Sequence, residues 1–138
     1  MGLSNTSFSW THQVAHFTSP ASASRYSVLV LDNRGSGFSG YPTGRYSTSA
    51  MADDVASVLD HLGWTGEAEV DLVGLSMGGM IALELARRVP GRIRSLVLAV
   101  TSSGHGVWRN LPPRKGFEAM RRLTLTAAPK DRMTIAVE

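Results

Sequence analysis

Three short apolar runs, separated by helical patterns, constrain the fold of this chain more than any other feature. The runs are Tyr26–Asp32, Ala68–Val73 and Ser95–Val100, and each contains valine and leucine and leads into turn-forming residues. Runs of this length and composition are typical of strands that are buried on both faces of a parallel sheet. The sequence therefore predicts an α/β domain in which helices cover a parallel sheet through right-handed crossovers.

Helices are predicted between and before these runs. Apolar residues recur at the spacing of one helical face at Met51, Val55, Val58, Leu59 and Leu62. We expect Thr48 or Ser49 to cap the start of this helix and Gly63 to end it. A second helix is predicted over residues 76–89 and an earlier one over residues 10–17.

Composition excludes several classes of function. The net charge is +3 and is scattered along the chain, so we expect no nucleic-acid partner. The chain has no cysteine, which excludes a disulfide framework, a thiolate metal site and a cysteine nucleophile. It also fits a reducing compartment, and we expect a cytoplasmic location. No apolar stretch approaches the roughly 18 residues of a membrane-spanning helix, so no membrane span is expected.

Two patterns in the sequence suggest a bound cofactor or a metal, but neither has the neighbouring elements or ligands that such a site requires. Residues 35–40 (GSGFSG) match the dinucleotide fingerprint G-x-G-x-x-G. That fingerprint requires a helix that opens at the phosphates, and helical periodicity here begins only near Ser49. His12 and His16 are four residues apart, but no carboxylate or third ligand joins them. We therefore predict no cofactor and no metal site.

A serine between glycines follows the second apolar run. Residues 74–78 (GLSMG) fit the pattern G-x-S-x-G, with a strand predicted before and a helix after, and a further glycine extends the motif. A turn this tight leaves no room for side chains two residues before and two residues after Ser76, which is why positions 74 and 78 are glycines. The predicted structural glycines are Gly74, Gly78 and Gly79.

This corner would present the Ser76 hydroxyl at the carboxyl end of the sheet. There the N-terminus of the helix and the N–H of Met77 can stabilise a developing oxyanion. A serine that only caps the helix is the alternative interpretation, but it does not explain the flanking glycines. We therefore predict that Ser76 is a nucleophile.

These motifs resemble those of the α/β-hydrolase fold family, and the resemblance covers most of the chain. Residues 28–39 (VLVLDNRGSGFS) are similar to the family's fourth-strand segment, residues 74–79 to its nucleophile elbow, and residues 92–100 (RIRSLVLAV) to its sixth strand. Residues 1–10 (MGLSNTSFSW) are similar to its oxyanion loop. The resemblance implies that the N–H of Leu3 is the second oxyanion donor, beside that of Met77, although this chain has Met-Gly where many members have His-Gly.

The resemblance also narrows the chemistry. Members that open epoxides or remove halides have an aspartate at the elbow, whereas this chain has Ser76. The implied reaction is acyl transfer on a small-molecule substrate: hydrolysis of an ester, thioester or amide through an acyl-enzyme.

The acid and base of a triad are not identified in this sequence. In the family they follow the serine on later loops, and His105 is the only histidine after Ser76. His105 comes too early to be the family's base, and the resemblance implies that Asp32 holds the turn that follows it. We therefore expect a central fragment, with residues 1–100 as a partial core and residues 101–138 as a loop and the beginning of the cap, and little or no activity alone. The alternative is a non-catalytic remnant that binds a small apolar ligand or a partner subunit.

The resemblance has one further consequence for the sheet. In this family a third strand lies between the fourth and the fifth, so Tyr26–Asp32 and Ala68–Val73 would lack their shared neighbour. Their backbone groups must then pair with each other, with water or with another chain. We expect a marginal domain that can self-associate through unpaired strand edges.

Overall fold

The computed structural model describes residues 6–103, 114–116 and 118. The chain divides into two units, Met1–Ser103 and Gly104–Glu138. All the elements below belong to the first unit; in the second, residues 114–116 and 118 are helical. The amphipathic pattern at Phe117, Met120 and Leu123 falls outside the described residues. The expected boundary between core and cap at residue 100 stays a prediction.

The first unit alternates helices and strands. In chain order it contains a 3₁₀ turn (Ser7–Trp10), α1 (Thr11–Phe17), α2 (Thr48–His61), β1 (Val70–Leu75), α3 (Met77–Arg88), a 3₁₀ turn (Pro90–Arg92) and β2 (Ile93–Ala99). β1 and β2 are parallel, in a register that runs from Val70 opposite Ile93 to Leu75 opposite Ala99, with one irregularity after Val70. The predicted α/β class with a helical crossover is confirmed.

The first apolar run does not form a strand, and that part of the prediction is wrong. Residues 26–32, called here the unpaired segment, carry no strand assignment. Among the described residues, no hydrogen bond reaches the backbone groups of residues 27–31. A strand is defined by its ladder, so an apolar run without a neighbour cannot become one. Leu29 and Leu31 nevertheless pack against the buried core.

Two helix starts also differ from the prediction. The cap of α2 is Ser47, whose side chain accepts a hydrogen bond from Ala50 N at 3.1 Å. Ser47 has the extended backbone that a cap requires, whereas Thr48 is already helical. The helix ends as expected before Gly63, which has φ +73°. α3 begins at Met77 rather than Ser76.

The core lies where α2, α3 and β1 meet. Its buried apolar residues are Met51, Ala52, Val55, Leu59, Val70, Ile81, Ala82 and Leu85. Polar contacts hold the two helices together at its edge, where Arg88 bonds to Asp53 at 2.9 Å and to Ser49 Oγ at 2.5 Å. This packing fixes α3, and therefore its N-terminus, against the carboxyl end of β1.

Candidate active site at the strand-to-helix corner

A single residue separates β1 from α3. Ser76 has φ 53° and ψ −122°, a region of backbone space that residues with a side chain rarely occupy. Backbone conformations of this kind cost of order 1–3 kcal/mol and persist only where surrounding contacts impose them. The corner is therefore a strained conformation held in place by its neighbours.

Close packing of backbone against backbone explains the glycines at this corner. A Cβ at position 74 would lie 2.6 Å from the carbonyl oxygen of Gly78 and 2.6 Å from the Cα of Gly79. A Cβ at position 79 would lie 2.5 Å from the side chain of Thr101. All three distances are shorter than a normal contact distance of a carbon atom. Gly78 is itself buried in the first turn of α3.

Two hydrogen bonds, one to the last residue of β2 and one from Thr101, hold the strained backbone. Ser76 N donates to the carbonyl of Ala99 at 2.9 Å. Thr101 Oγ1 donates to the carbonyl of Ser76 at 2.7 Å. Sequence reasoning did not single out Thr101; its position directly after a parallel strand, at the carboxyl edge of the sheet, was the available signal.

Among the described residues, the Ser76 hydroxyl has no hydrogen-bond partner. Its side chain makes no capping bond to α3, so the interpretation of Ser76 as a simple helix cap is wrong. Within the described residues no group bonds to Oγ, and none accepts the N–H of Met77. The first N–H groups of a helix have no acceptor inside the helix, and they carry the positive end of its dipole. An unbonded hydroxyl therefore lies beside an unused donor.

Asp32 is committed to the turn that follows the unpaired segment. Its carboxylate accepts hydrogen bonds from Phe38 N at 2.9 Å and from Ser7 N at 2.6 Å. These two bonds, that from Phe38 first, lower the pKa of Asp32 below its ordinary value. The role predicted for Asp32 agrees with these contacts. The bond from Ser7 N also ties the start of the 3₁₀ turn Ser7–Trp10 to the end of the unpaired segment.

No histidine among the described residues bonds to the Ser76 hydroxyl. His61 ends α2, and the neighbouring Asp60 bonds to Arg92, just before β2, at 2.6 Å. That contact places His61 at the amino edge of the sheet, about 20 Å from Ser76 along a six-residue strand. His105 and Leu3 lie outside the described residues.

The glycine-rich residues 35–40 form a turn closed by a bond from Gly35 N to the carbonyl of Gly40 at 2.9 Å. The next helix begins only at Thr48, so the helix that a dinucleotide site requires does not follow. The described residues contain no group of three metal-ligating side chains. None of the helices described reaches the length and hydropathy needed to cross a membrane.

A comparison with known protein families identifies the family to which this chain belongs. The model of the alpha/beta hydrolase fold family matches residues 2–131. The chain belongs to the α/β-hydrolase fold family. The resemblance noted in the motifs is thereby confirmed, and the strand–serine–helix corner lies within the matched region.

Several relatives of this α/β-hydrolase chain are named for hydrolytic reactions. It is 34% identical over 112 residues to a provisionally named carbamate hydrolase, RutD, from Azorhizobium caulinodans, a match that covers 80% of this chain and 39% of the relative. It is 33% identical over 97 residues to 3-oxoadipate enol-lactonase 2 from Acinetobacter baylyi, covering 70% and 33%. A solved thermophilic esterase from Thermogutta terrifontis superposes with TM-score 0.66 at 32% identity, covering 88% of this chain and 40% of the esterase. The chain thus spans well under half the length of these relatives.

Proposed function

We propose that this chain carries the nucleophile of a hydrolase, Ser76, which acts on a small ester, thioester or amide through an acyl-enzyme. The observation that carries the proposal is the strained corner, where neither the Ser76 hydroxyl nor the N–H of Met77 has a hydrogen-bond partner among the described residues. Relatives named as an enol-lactonase and an esterase support a carbonyl substrate. A helix cap needs neither the strain nor the glycines.

In the proposed mechanism each part of the corner has a role. Ser76 Oγ attacks the acyl carbonyl and gives its proton to a base, while the carbonyl oxygen becomes an oxyanion. The N–H of Met77 and the N-terminus of α3 stabilise that charge, and loss of one such donor costs about 10²–10³ in kcat. As the tetrahedral intermediate collapses, the base returns the proton to the leaving group, and the acyl-enzyme forms. Water, which gives a proton to the same base, then attacks the acyl-enzyme and releases the acid and the Ser76 hydroxyl. By the family resemblance, the N–H of Leu3 is the second donor.

The base comes from outside the described residues. No described side chain bonds to the Ser76 hydroxyl, and the resemblance places the acid and base after later strands. Loss of the base costs about 10⁶ in rate, and the oxyanion donors retain about 10³–10⁴ over water. We therefore expect the 138-residue chain to react slowly and selectively at Ser76.

Rescue by an added base tests this proposal. The full chain is incubated with a fluorophosphonate probe, with and without imidazole, and the modified serine is located by peptide mass spectrometry. Imidazole should accelerate modification of Ser76 in the wild type and in Ser57→Ala, a control at an exposed serine of α2. It should give no such modification in Ser76→Ala.

Two outcomes contradict parts of the proposal. Modification that is the same in Ser76→Ala as in the wild type would remove Ser76 as the nucleophile and favour the non-catalytic alternative. Rapid modification of Ser76 without imidazole would keep the nucleophile but show that this chain already contains its base.

A further inference from the structure

The carbonyl of Ser76 and the N–H of Met77 belong to the same peptide group. A peptide group is planar and trans, so its C=O and its N–H lie in one plane and point in opposite directions. Any contact that fixes the direction of the Ser76 carbonyl therefore also fixes the direction of the Met77 N–H. Because that N–H is the proposed oxyanion donor, the partners of the Ser76 carbonyl bear directly on the reaction.

The Ser76 carbonyl accepts hydrogen bonds from three groups among the described residues, and the closest is the hydroxyl of Thr101. Thr101 Oγ1 donates at 2.7 Å, whereas Gly79 N and Met80 N donate at 2.9 and 3.4 Å. The last two are part of α3, the helix that the peptide itself opens. Thr101 instead follows β2 and is 25 residues from Ser76 in the sequence. It therefore fixes the peptide from outside the helix.

Gly79 makes room for the side chain of Thr101. A Cβ at position 79 would lie 2.5 Å from both Cβ and Oγ1 of Thr101 and 2.6 Å from its Cγ2. All three atoms of the threonine side chain would have to move, and its hydroxyl would leave the Ser76 carbonyl. The glycine that extends the G-x-S-x-G pattern is thus explained by the side chain that packs against it.

The backbone that leads to Thr101 is strained. Val100 has φ 49°, where a β-branched residue is a genuine outlier, and its side chain is 85% exposed, so side-chain packing does not impose this conformation. Both of its neighbours bond to Ser76: the carbonyl of Ala99 accepts from Ser76 N at 2.9 Å, and Thr101 donates to the Ser76 carbonyl. Strain of this kind persists where surrounding contacts over-determine the backbone. Residues 99–101 therefore hold Ser76 by both of its backbone polar groups.

We propose that Thr101 is a positioning residue for the oxyanion donor, because its hydroxyl fixes the peptide group that carries the Met77 N–H. The inference rests on the proposed function of Ser76. A donor that is already oriented needs no reorganisation when negative charge develops on the substrate. A hydrogen bond to the carbonyl also polarises the peptide group, which makes its N–H a stronger donor.

Inactivation kinetics of the full chain test this role. The rate of Ser76 modification by the fluorophosphonate probe, with imidazole present, is measured over a range of probe concentrations. These data give the maximal rate constant kinact and the half-saturating concentration KI. Thr101→Val removes the hydroxyl but keeps the shape of the side chain, and Thr101→Ser keeps the hydroxyl.

The expected effect falls on kinact alone. Loss of an oxyanion donor costs about 10²–10³ in rate, and a donor that is only misoriented should cost less, so we expect kinact to fall about tenfold in Thr101→Val with KI unchanged. Thr101→Ser should restore kinact to within about twofold of the wild type. Thr65→Val, at an exposed threonine between α2 and β1, is the matched control and should leave both constants unchanged.

Two further measurements separate positioning from a general loss of structure. Removal of a hydrogen bond also lowers stability, so urea denaturation of each variant identifies conditions in which all of them are folded. In spectra of the isotope-labelled chain, the chemical shifts of the Ser76 carbonyl carbon and the Met77 amide nitrogen should change in Thr101→Val. Both should return to their wild-type values in Thr101→Ser.

Three results would overturn the inference while leaving Ser76 as the nucleophile. Wild-type kinact in Thr101→Val would show that the hydroxyl does not support the donor. A Thr101→Ser variant as slow as Thr101→Val would assign the effect to the lost methyl group. A higher KI with unchanged kinact would make Thr101 part of the binding surface for the probe. Failure of the proposed function is a different result, in which modification of the wild type does not depend on Ser76.

Discussion

β1 and the unpaired segment are similar in sequence but differ in structure. Each is a short run of valine, leucine and one aspartate that leads into turn residues. β1 is paired with β2 along its length and carries α3 on its face. The unpaired segment packs two leucines against the core but has no backbone partner among the described residues. An apolar pattern thus predicts burial, whereas strand formation depends on a neighbour.

The largest expected contrast between the two regions is in side-chain burial. Leu85 is 0% exposed where α3 meets the core, while Val30 of the unpaired segment is 36% exposed. We expect Leu85→Ala to lower the free energy of unfolding by about 3–4 kcal/mol and Val30→Ala by less than about 1 kcal/mol. Urea denaturation monitored by circular dichroism measures both. Equal losses would mean that the unpaired segment is as well packed as the β1 side.

Glycine replacement probes backbone packing on the two sides. A Cβ at Gly74 would meet the backbone of Gly78 and Gly79 at 2.6 Å, whereas a Cβ at Gly40, after the unpaired segment, meets nothing within 4 Å. We expect Gly74→Ala to destabilise by about 2–3 kcal/mol and Gly40→Ala to stay within about 0.5 kcal/mol. Thermal unfolding of the two variants measures these changes in stability. A neutral Gly74→Ala would show that the corner can open without cost.

Of the two regions compared, the β1 corner has a residue with a side chain at positive φ, Ser76, whereas the unpaired segment has none. Ser76→Gly should raise the free energy of unfolding by about 1 kcal/mol, because glycine adopts φ 53° without a steric penalty. Ser57→Gly, in the middle of α2, should lower it by a similar amount, about 0.5–1 kcal/mol. Chemical denaturation of both variants tests whether the two changes in the free energy of unfolding have opposite signs. Destabilisation by Ser76→Gly would argue against stored strain.

The smallest expected effect is the contribution of one carboxylate in each region to the pH dependence of the free energy of unfolding. Bonds to Arg94 and Ser95 lower the pKa of Asp71, on β1, to about 2, and backbone N–H groups lower the pKa of Asp32, in the unpaired segment. A carboxylate with a lowered folded pKa stabilises the protein above its ordinary pKa of about 3.9 and loses that contribution as pH falls through the folded value. For Asp71 the loss falls between about pH 4 and pH 2.

Unfolding measured between about pH 5 and pH 2 checks this dependence. Asp71→Asn and Asp32→Asn should each show a shallower loss of stability with acid than the wild type. If the bonds to Asp32 are as persistent as those to Asp71, both substitutions will reduce the loss of stability at low pH to a similar extent. A curve unchanged in Asp32→Asn would mean that Ser7 and Phe38 do not hold that carboxylate in solution.

Much of the candidate site could be predicted from the sequence because its determinants are local. The spacing of glycines around Ser76 forces one corner, and the helical period of α2 and α3 gives their buried faces. The cap of α2 was missed by one residue, because Ser47, Thr48 and Ser49 are all capping types and only the backbone distinguishes them. The support from Thr101 was missed because it bridges residues 25 apart.

The sequence by itself determined the α/β class, the family and the position of the serine corner, since each depends on residues that are neighbours along the chain. Only the tertiary structure decided which apolar run became a strand and which residues hold Ser76 in its strained conformation. Hydrogen-bond ladders are properties of segments that meet in space, and an apolar run records that it must be buried without recording against what.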